Sequence, residues 1–139
     1  MASASEIIVT LPGGRRVDAQ VGRHVVRTDQ PVEDGGEDTS ASPFQLFLAA
    51  IGTCAGVFVQ GFCSKRGISS EGIRIRERPH LHPETGALTA VDLEIEVPPT
   101  FPEKYRDALV RVANKCSVKQ AILAQPTFDV KTVTAPHGQ

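Results

Sequence analysis

Ser42-Pro-Phe-Gln-Leu-Phe-Leu-Ala-Ala-Ile-Gly-Thr-Cys-Ala-Gly-Val-Phe-Val-Gln-Gly-Phe-Cys-Ser-Lys-Arg-Gly67 is the stretch that decides the fold. Ser42 is a favoured helix N-cap. Pro43 suits the first helical position, where its missing N–H would have no partner. Lys65 and Arg66 suit the negative end of a helix dipole, and Gly67 stands where a left-handed C′ residue is expected. The stretch therefore predicts a helix from Pro43 to Lys65 or Arg66. Its middle is apolar on nearly all sides, which predicts a helix enclosed by protein rather than lying on a surface. The longest nearly apolar run, Leu46 to Val59, is short for a bilayer span, and Gly52, Thr53, Cys54 and Gly56 interrupt it. The small residues Ala49, Ala50, Gly52, Ala55 and Gly56 would let a partner backbone approach closely. A second copy of the chain is one natural candidate.

Outward from this helix the pattern changes to strands. On the N-terminal side, Glu6–Leu11, Val17–Val21 and His24–Thr28 are β-branched or alternating and read as three strands of an antiparallel meander. Pro12-Gly-Gly14 and Gly22-Arg23 supply the turns. Residues 29–41 are polar, acidic and without apolar periodicity, and read as a surface loop. On the C-terminal side, Glu71–Arg78 and Ala90–Val97 alternate clearly, with a turn at Pro83–Gly86 between them. A helix is expected from Pro102 and a shorter one from Val118 to Leu123. Thr127–Thr134 reads as a last strand, followed by a frayed tail. The order βββ-α-ββ-α-α-β predicts an α+β fold with a mostly antiparallel sheet around a buried central helix. With no internal repeat or linker, residues 1–139 read as a single domain.

The chain has 139 residues, enough for a core without metal or disulfide staples. Fifteen Lys+Arg against 16 Asp+Glu leave a net charge of −1. That balance argues against non-specific nucleic-acid binding and against a polybasic membrane anchor. The chain has no Trp and one Tyr, a poor endowment for stacking bases. Met1–Glu6 lacks the basic and apolar regions of a leader, so a cytoplasmic protein is expected. In that compartment its three cysteines are free, catalytic or redox-active rather than structural.

Cys54 lies mid-helix, where a cysteine ordinarily serves as a small core residue. Cys63, nine residues on, falls on the opposite helix face and cannot pair with it there. Cys116 stands at a break between two helical stretches, with Lys115 and Lys119 close by. A helix N-terminus and ammonium groups would both lower its pKa. Spacing does not say whether any two cysteines pair. His80 and His82 share one face of a strand but lack a third ligand at a diagnostic spacing, and read as surface histidines near a turn. His24 and His137 add nothing specific. Gly35-Gly36 lacks the strand–turn–helix setting of a nucleotide loop. Arg15, Arg16, Arg23 and Arg27 gather in the meander. They read either as a solvated face or as a source of one guanidinium for a thiolate or anion.

Residues 35–67 through Cys54, together with Lys115-Cys-Ser-Val118, resemble the two cysteine motifs of the OsmC/Ohr family, and the element order agrees over roughly residues 6–134. The resemblance implies an intertwined homodimer whose central helices are enclosed by sheets, with two active sites at the subunit interface. It implies that Cys54 is the peroxidatic and Cys116 the resolving cysteine of a thiol peroxidase acting on organic hydroperoxides. A Cys54–Cys116 disulfide and an external dithiol reductant complete that cycle, and no metal, haem or flavin takes part. Phe44, Phe47, Phe58 and Phe62 would favour organic substrates if they line the pocket. The family also uses an arginine from the N-terminal strands beside the thiolate. Arg16, Arg23 and Arg27 are candidates, with Arg23 favoured. Family members place a glutamate just after the helix-opening proline to orient that arginine. This chain has Phe44 and Gln45 there, and Gln45 brings hydrogen-bonding capacity without charge. Glu37 or Asp38 are substitutes from the loop. The departure leaves open a second function on the same fold, the binding of a small hydrophobic ligand or redox sensing.

Overall fold

The computed structural model describes residues 5–136. The readings of the first residues as leaderless and of residues 137–139, with His137, as frayed or uninformative lie outside that range. Strands β1 (Ile7–Gly13), β2 (Arg16–Val21) and β3 (His24–Thr28) form a three-stranded sheet in that order. Both pairings are antiparallel, from Ile7 opposite Val21 and from Val17 opposite Thr28. The meander is as expected, although β1 runs through Pro12 to Gly13 with a register shift after Thr10. The Thr28 hydroxyl donates to the Val17 carbonyl at 2.6 Å and pins the end of β3.

The acidic loop that follows is more organised than its composition suggests. Asp29 is only 1% exposed. Its carboxylate accepts hydrogen bonds from the Thr39 hydroxyl at 2.6 Å, the Thr39 N–H at 3.1 Å and the Gln30 N–H at 2.7 Å. These donors, the Thr39 hydroxyl first, hold its pKa down at about 2. A short 3-10 turn spans Val32–Asp34. Gly36 passes so close to the Gln30 backbone that a Cβ there would lie 2.8 Å from the Gln30 Cα and nearer still to its carbonyl. Only glycine fits that crossing.

Helix α1 (Pro43–Lys65) has the expected bounds. Its start is a reciprocal capping box. The Ser42 hydroxyl accepts from the Gln45 N–H at 3.2 Å, and the Gln45 side-chain carbonyl accepts from the Ser42 N–H at 2.9 Å. Its end is closed by Gly67 at φ 64° and by the Ile68 N–H donating to the Cys63 carbonyl at 2.9 Å. Ile51, Ala55, Val59, Phe62 and Cys63 are buried, one stripe at helical spacing. Phe44, Phe47 and Val57 are exposed. Within one chain a single stripe of the helix is covered. By length and composition alone α1 is also long and apolar enough to cross a membrane.

Strands β4 (Arg74–Leu81) and β5 (Leu88–Glu96) pair as a two-stranded sheet. β4 starts later than the alternation predicts, because Ser70–Ile73 closes a turn in which the Ile73 N–H donates to the Ser70 carbonyl. Arg74 pairs with Glu96, Arg78 with Glu94 at 2.9 Å and His80 with Asp92 at 2.7 Å. Glu77 meets Gly52 of α1, which has no side chain to displace it, and its Oε2 is buried without a hydrogen-bond partner among the described residues. Burial raises the Glu77 pKa. A 3-10 turn at Glu103–Tyr105 leads into α2 (Arg106–Ala113), and α3 spans Ser117–Leu123. Phe101 and Leu109 are buried. Phe62 and Tyr105 meet edge to face with centroids 5.8 Å apart, and the Arg66 guanidinium lies 3.7 Å over the Phe62 ring.

One predicted element is absent. Thr127–Thr134 forms no strand. Its side-chain pattern is right, but a strand needs an edge to pair with, and no described strand of this chain pairs with it. Phe128, Val130 and Val133 remain 87%, 91% and 82% exposed. The observed order is βββ-α-ββ-α-α, still α+β. The contacts of the described residues group into two units, residues 5–53 with 75–94, and residues 54–74 with 95–136.

Candidate active site

Cys54 stands on α1 and is half-buried. Its sulfur lies 3.5 Å from the Ser117 hydroxyl oxygen. Ser117 opens α3, and Cys116 immediately before it is the N-cap, its sulfur accepting the Lys119 N–H at 3.4 Å. The break between α2 and α3 thus turns residues 116–118 toward Cys54, all within one of the two units. Burial pushes the Cys54 thiol up. Hydrogen bonds from the Ser117 hydroxyl, the Val118 N–H, the Cys116 thiol and the Ser117 N–H outweigh it and draw the pKa down from 9.0 to about 7. None of these groups carries a formal charge.

Cys116 behaves in the opposite sense. It is 2% exposed, and burial raises its pKa, with the neighbouring Cys54 adding to the rise. This corrects the expectation that Lys115 and Lys119 would make Cys116 the acidic thiol. The Lys119 ammonium is held by the Asn114 side-chain carbonyl at 2.8 Å instead. Cys63 is buried, and that burial raises its pKa too. The site therefore joins one easily ionised thiol to one that keeps its proton. Such a pair supplies a nucleophile and a protonated partner within hydrogen-bond reach.

The remaining sequence candidates are placed as follows. Arg23 lies in the β2–β3 turn and is exposed. Arg16 and Arg27 are on β2 and β3. Gln45 is part of the capping box, with its side-chain carbonyl engaged by the Ser42 N–H. His80 pairs with Asp92, and the His82 ring nitrogen accepts from the Glu84 and Thr85 N–H groups of the hairpin turn. No cluster of three metal-binding side chains occurs among the described residues. Ser117 was not among the sequence candidates. Nothing in a serine beside a cysteine signals a contact across 63 residues.

The OsmC-like protein family model matches residues 35–131, well over half the chain and both cysteines of the site. The chain belongs to the OsmC-like family. Solved structures carry the same fold. An OsmC-like protein from Mycoplasma pneumoniae is 12% identical, with 90% of this chain and 91% of that one covered and a TM-score of 0.70. An organic hydroperoxide resistance protein from Elizabethkingia anophelis is 21% identical, with 90% and 93% covered and a TM-score of 0.61. An organic hydroperoxide resistance protein OsmC from Legionella pneumophila is 25% identical, with 87% and 91% covered and a TM-score of 0.54. No curated protein sequence matches this chain. The mixed helix and antiparallel sheet of the OsmC-like fold is thus the architecture expected from the element order.

Proposed function

We propose that this OsmC-like chain is a thiol-dependent peroxidase that reduces organic hydroperoxides in oxidative-stress defence. The observation that carries the reading is the placement of residues 116–118 against Cys54, with the Ser117 hydroxyl oxygen 3.5 Å from the Cys54 sulfur, where hydrogen bonds draw the Cys54 pKa down to about 7 while burial raises that of Cys116. The Cys54 thiolate attacks one oxygen of the O–O bond. An S–O bond forms, the O–O bond breaks, and sulfur gives up two electrons. The alkoxide leaves and takes a proton to become the alcohol. Cys54 is now a sulfenic acid. The Cys116 sulfur displaces the hydroxyl, water leaves, and a Cys54–Cys116 disulfide remains. An external dithiol restores both thiols by exchange and departs as its own disulfide. Every electron in this cycle passes through sulfur, so no metal or organic cofactor is assigned.

The same reading makes the protein a cytoplasmic homodimer, one OsmC-like domain per copy, with no nucleic-acid or membrane partner. The exposed Phe44, Phe47 and Val57 of α1 and the exposed Phe128, Val130 and Val133 after α3 support a second copy as what covers them. Arg23 of the meander remains the arginine favoured by the family resemblance, and Gln45 occupies the position of the missing glutamate. Non-reducing peptide mapping after a stoichiometric dose of cumene hydroperoxide tests the cycle. A Cys54–Cys116 disulfide that disappears with dithiol is expected. Unmodified thiols would overturn it and favour ligand binding, a reading supported by the exposed, stacked Phe44 and Phe47 rings.

A further inference from the structure

Cys54 is partly buried, and no charged side chain is among the groups that act most on it. Burial of a thiol without compensation favours the neutral form. The compensation comes from hydrogen-bond donors on residues 116–118. Two of these are backbone N–H groups, fixed by the chain path, and one is the Cys116 thiol, which must leave that role to act as a nucleophile. Ser117 Oγ, at 3.5 Å, is the one side-chain donor at this sulfur that does not also have to react.

We propose that Ser117 is a positioning residue for Cys54: its hydroxyl donates a hydrogen bond to the Cys54 sulfur and so holds that sulfur in its anionic, attacking form. A hydroxyl beside a neutral thiol can donate or accept with little preference. Beside a thiolate it can only donate, and a charge-assisted bond is roughly twice as strong as a neutral one. The contact therefore favours the thiolate selectively. Ser117 can act this way because it is the first residue of α3, where its own N–H also faces the sulfur. The inference rests on the reading of Cys54 as the nucleophile but needs no peroxide to be examined.

The experiment is the pH dependence of Cys54 alkylation by iodoacetamide in the full chain, with the site resolved by peptide mass. The parent is expected to show a midpoint at about 7. Ser117→Ala is expected to raise it by about one pH unit, as loss of one hydrogen bond to a charged group should. Ser117→Thr, which keeps the hydroxyl, is expected to leave it near the parent. A Ser117→Ala midpoint equal to the parent's overturns the proposal, and so does a parent midpoint near 9. Ser117 is exposed, so alanine fits without strain. Ser117→Gly removes the same hydroxyl should the alanine variant fail to fold. Hydroperoxide consumption is read separately. A shifted midpoint without turnover in the parent would retain Ser117's role and overturn the peroxidase reading alone.

Discussion

Limited alkylation at neutral pH should modify Cys54 well before Cys63 or Cys116. At pH 7 a thiol with a pKa of about 7 is half ionised. A thiol at or above 9.0, as Cys63 and Cys116 are, is ionised to about one per cent at most. The thiolate populations differ by about fiftyfold. The more acidic thiolate is intrinsically the weaker nucleophile, which for a pKa difference of about two returns about eightfold of that advantage. A preference of about sixfold remains before access is considered. Access widens it, since Cys54 is half-buried while Cys63 and Cys116 are 1% and 2% exposed. The assay uses substoichiometric iodoacetamide, a denaturing chase with an isotopically heavy form, and the light-to-heavy ratio at each cysteine peptide. Raising the pH from 6 to 8 should raise the Cys54 rate steeply and then flatten it, while the other two rates keep climbing. Equal labelling of the three thiols at pH 7, or Cys116 reacting first, would show that the hydrogen bonds around Cys54 do not set its ionisation.

Three further outcomes follow from the same structure. Ser42→Ala should cost about 1 kcal/mol of unfolding free energy, read from urea denaturation, because it removes half of the capping box at the start of α1. Asp29→Asn should flatten the acid limb of the stability profile. The folded carboxyl titrates at about 2 against 3.8 ordinarily, so the unfolded chain binds more protons between those values, and Asp29 supplies stability above about pH 4 that is lost as pH falls toward 2. Light scattering during gel filtration should give twice the 14.9 kDa chain mass, and a monomer at micromolar concentration would remove the second copy from the reading.

Much of the architecture is local in origin and therefore legible in the order of the amino acids. The α1 limits follow from Ser42, Pro43 and Gly67, each acting within a turn or so of the helix end. The β3 bounds follow from the Gly22-Arg23 turn before it and the β-branched run His24–Thr28. What the pattern cannot carry is pairing. Residues 127–134 have the side chains of a strand, yet strand formation depends on an edge elsewhere, and alternation does not say on which chain that edge lies. The same limit applies to charge. The lysines beside Cys116 suggested an acidic thiol there, but Lys119 is spent on Asn114 and Cys116 is buried, facts set by folding rather than proximity in sequence. Cys54 looked like an inert core residue for a related reason. The donors that acidify it arrive from α3, and their effect is invisible in the helix that carries it. Nor did composition betray the Asp29 knot, since one buried acid looks like every other acid in an acidic loop.

The N-cap at Cys116 gives a mutant its own control. Serine is among the best residues for starting a helix, and a hydroxyl would accept the Lys119 N–H at least as well as sulfur does. Replacing Cys116 by serine should therefore hold or raise the melting temperature while deleting the second sulfur. A variant that loses its proposed chemistry ordinarily leaves two explanations, lost reactivity and lost folding. At this position the expected melting temperature separates them, because the cap and the thiol reside on the same atom.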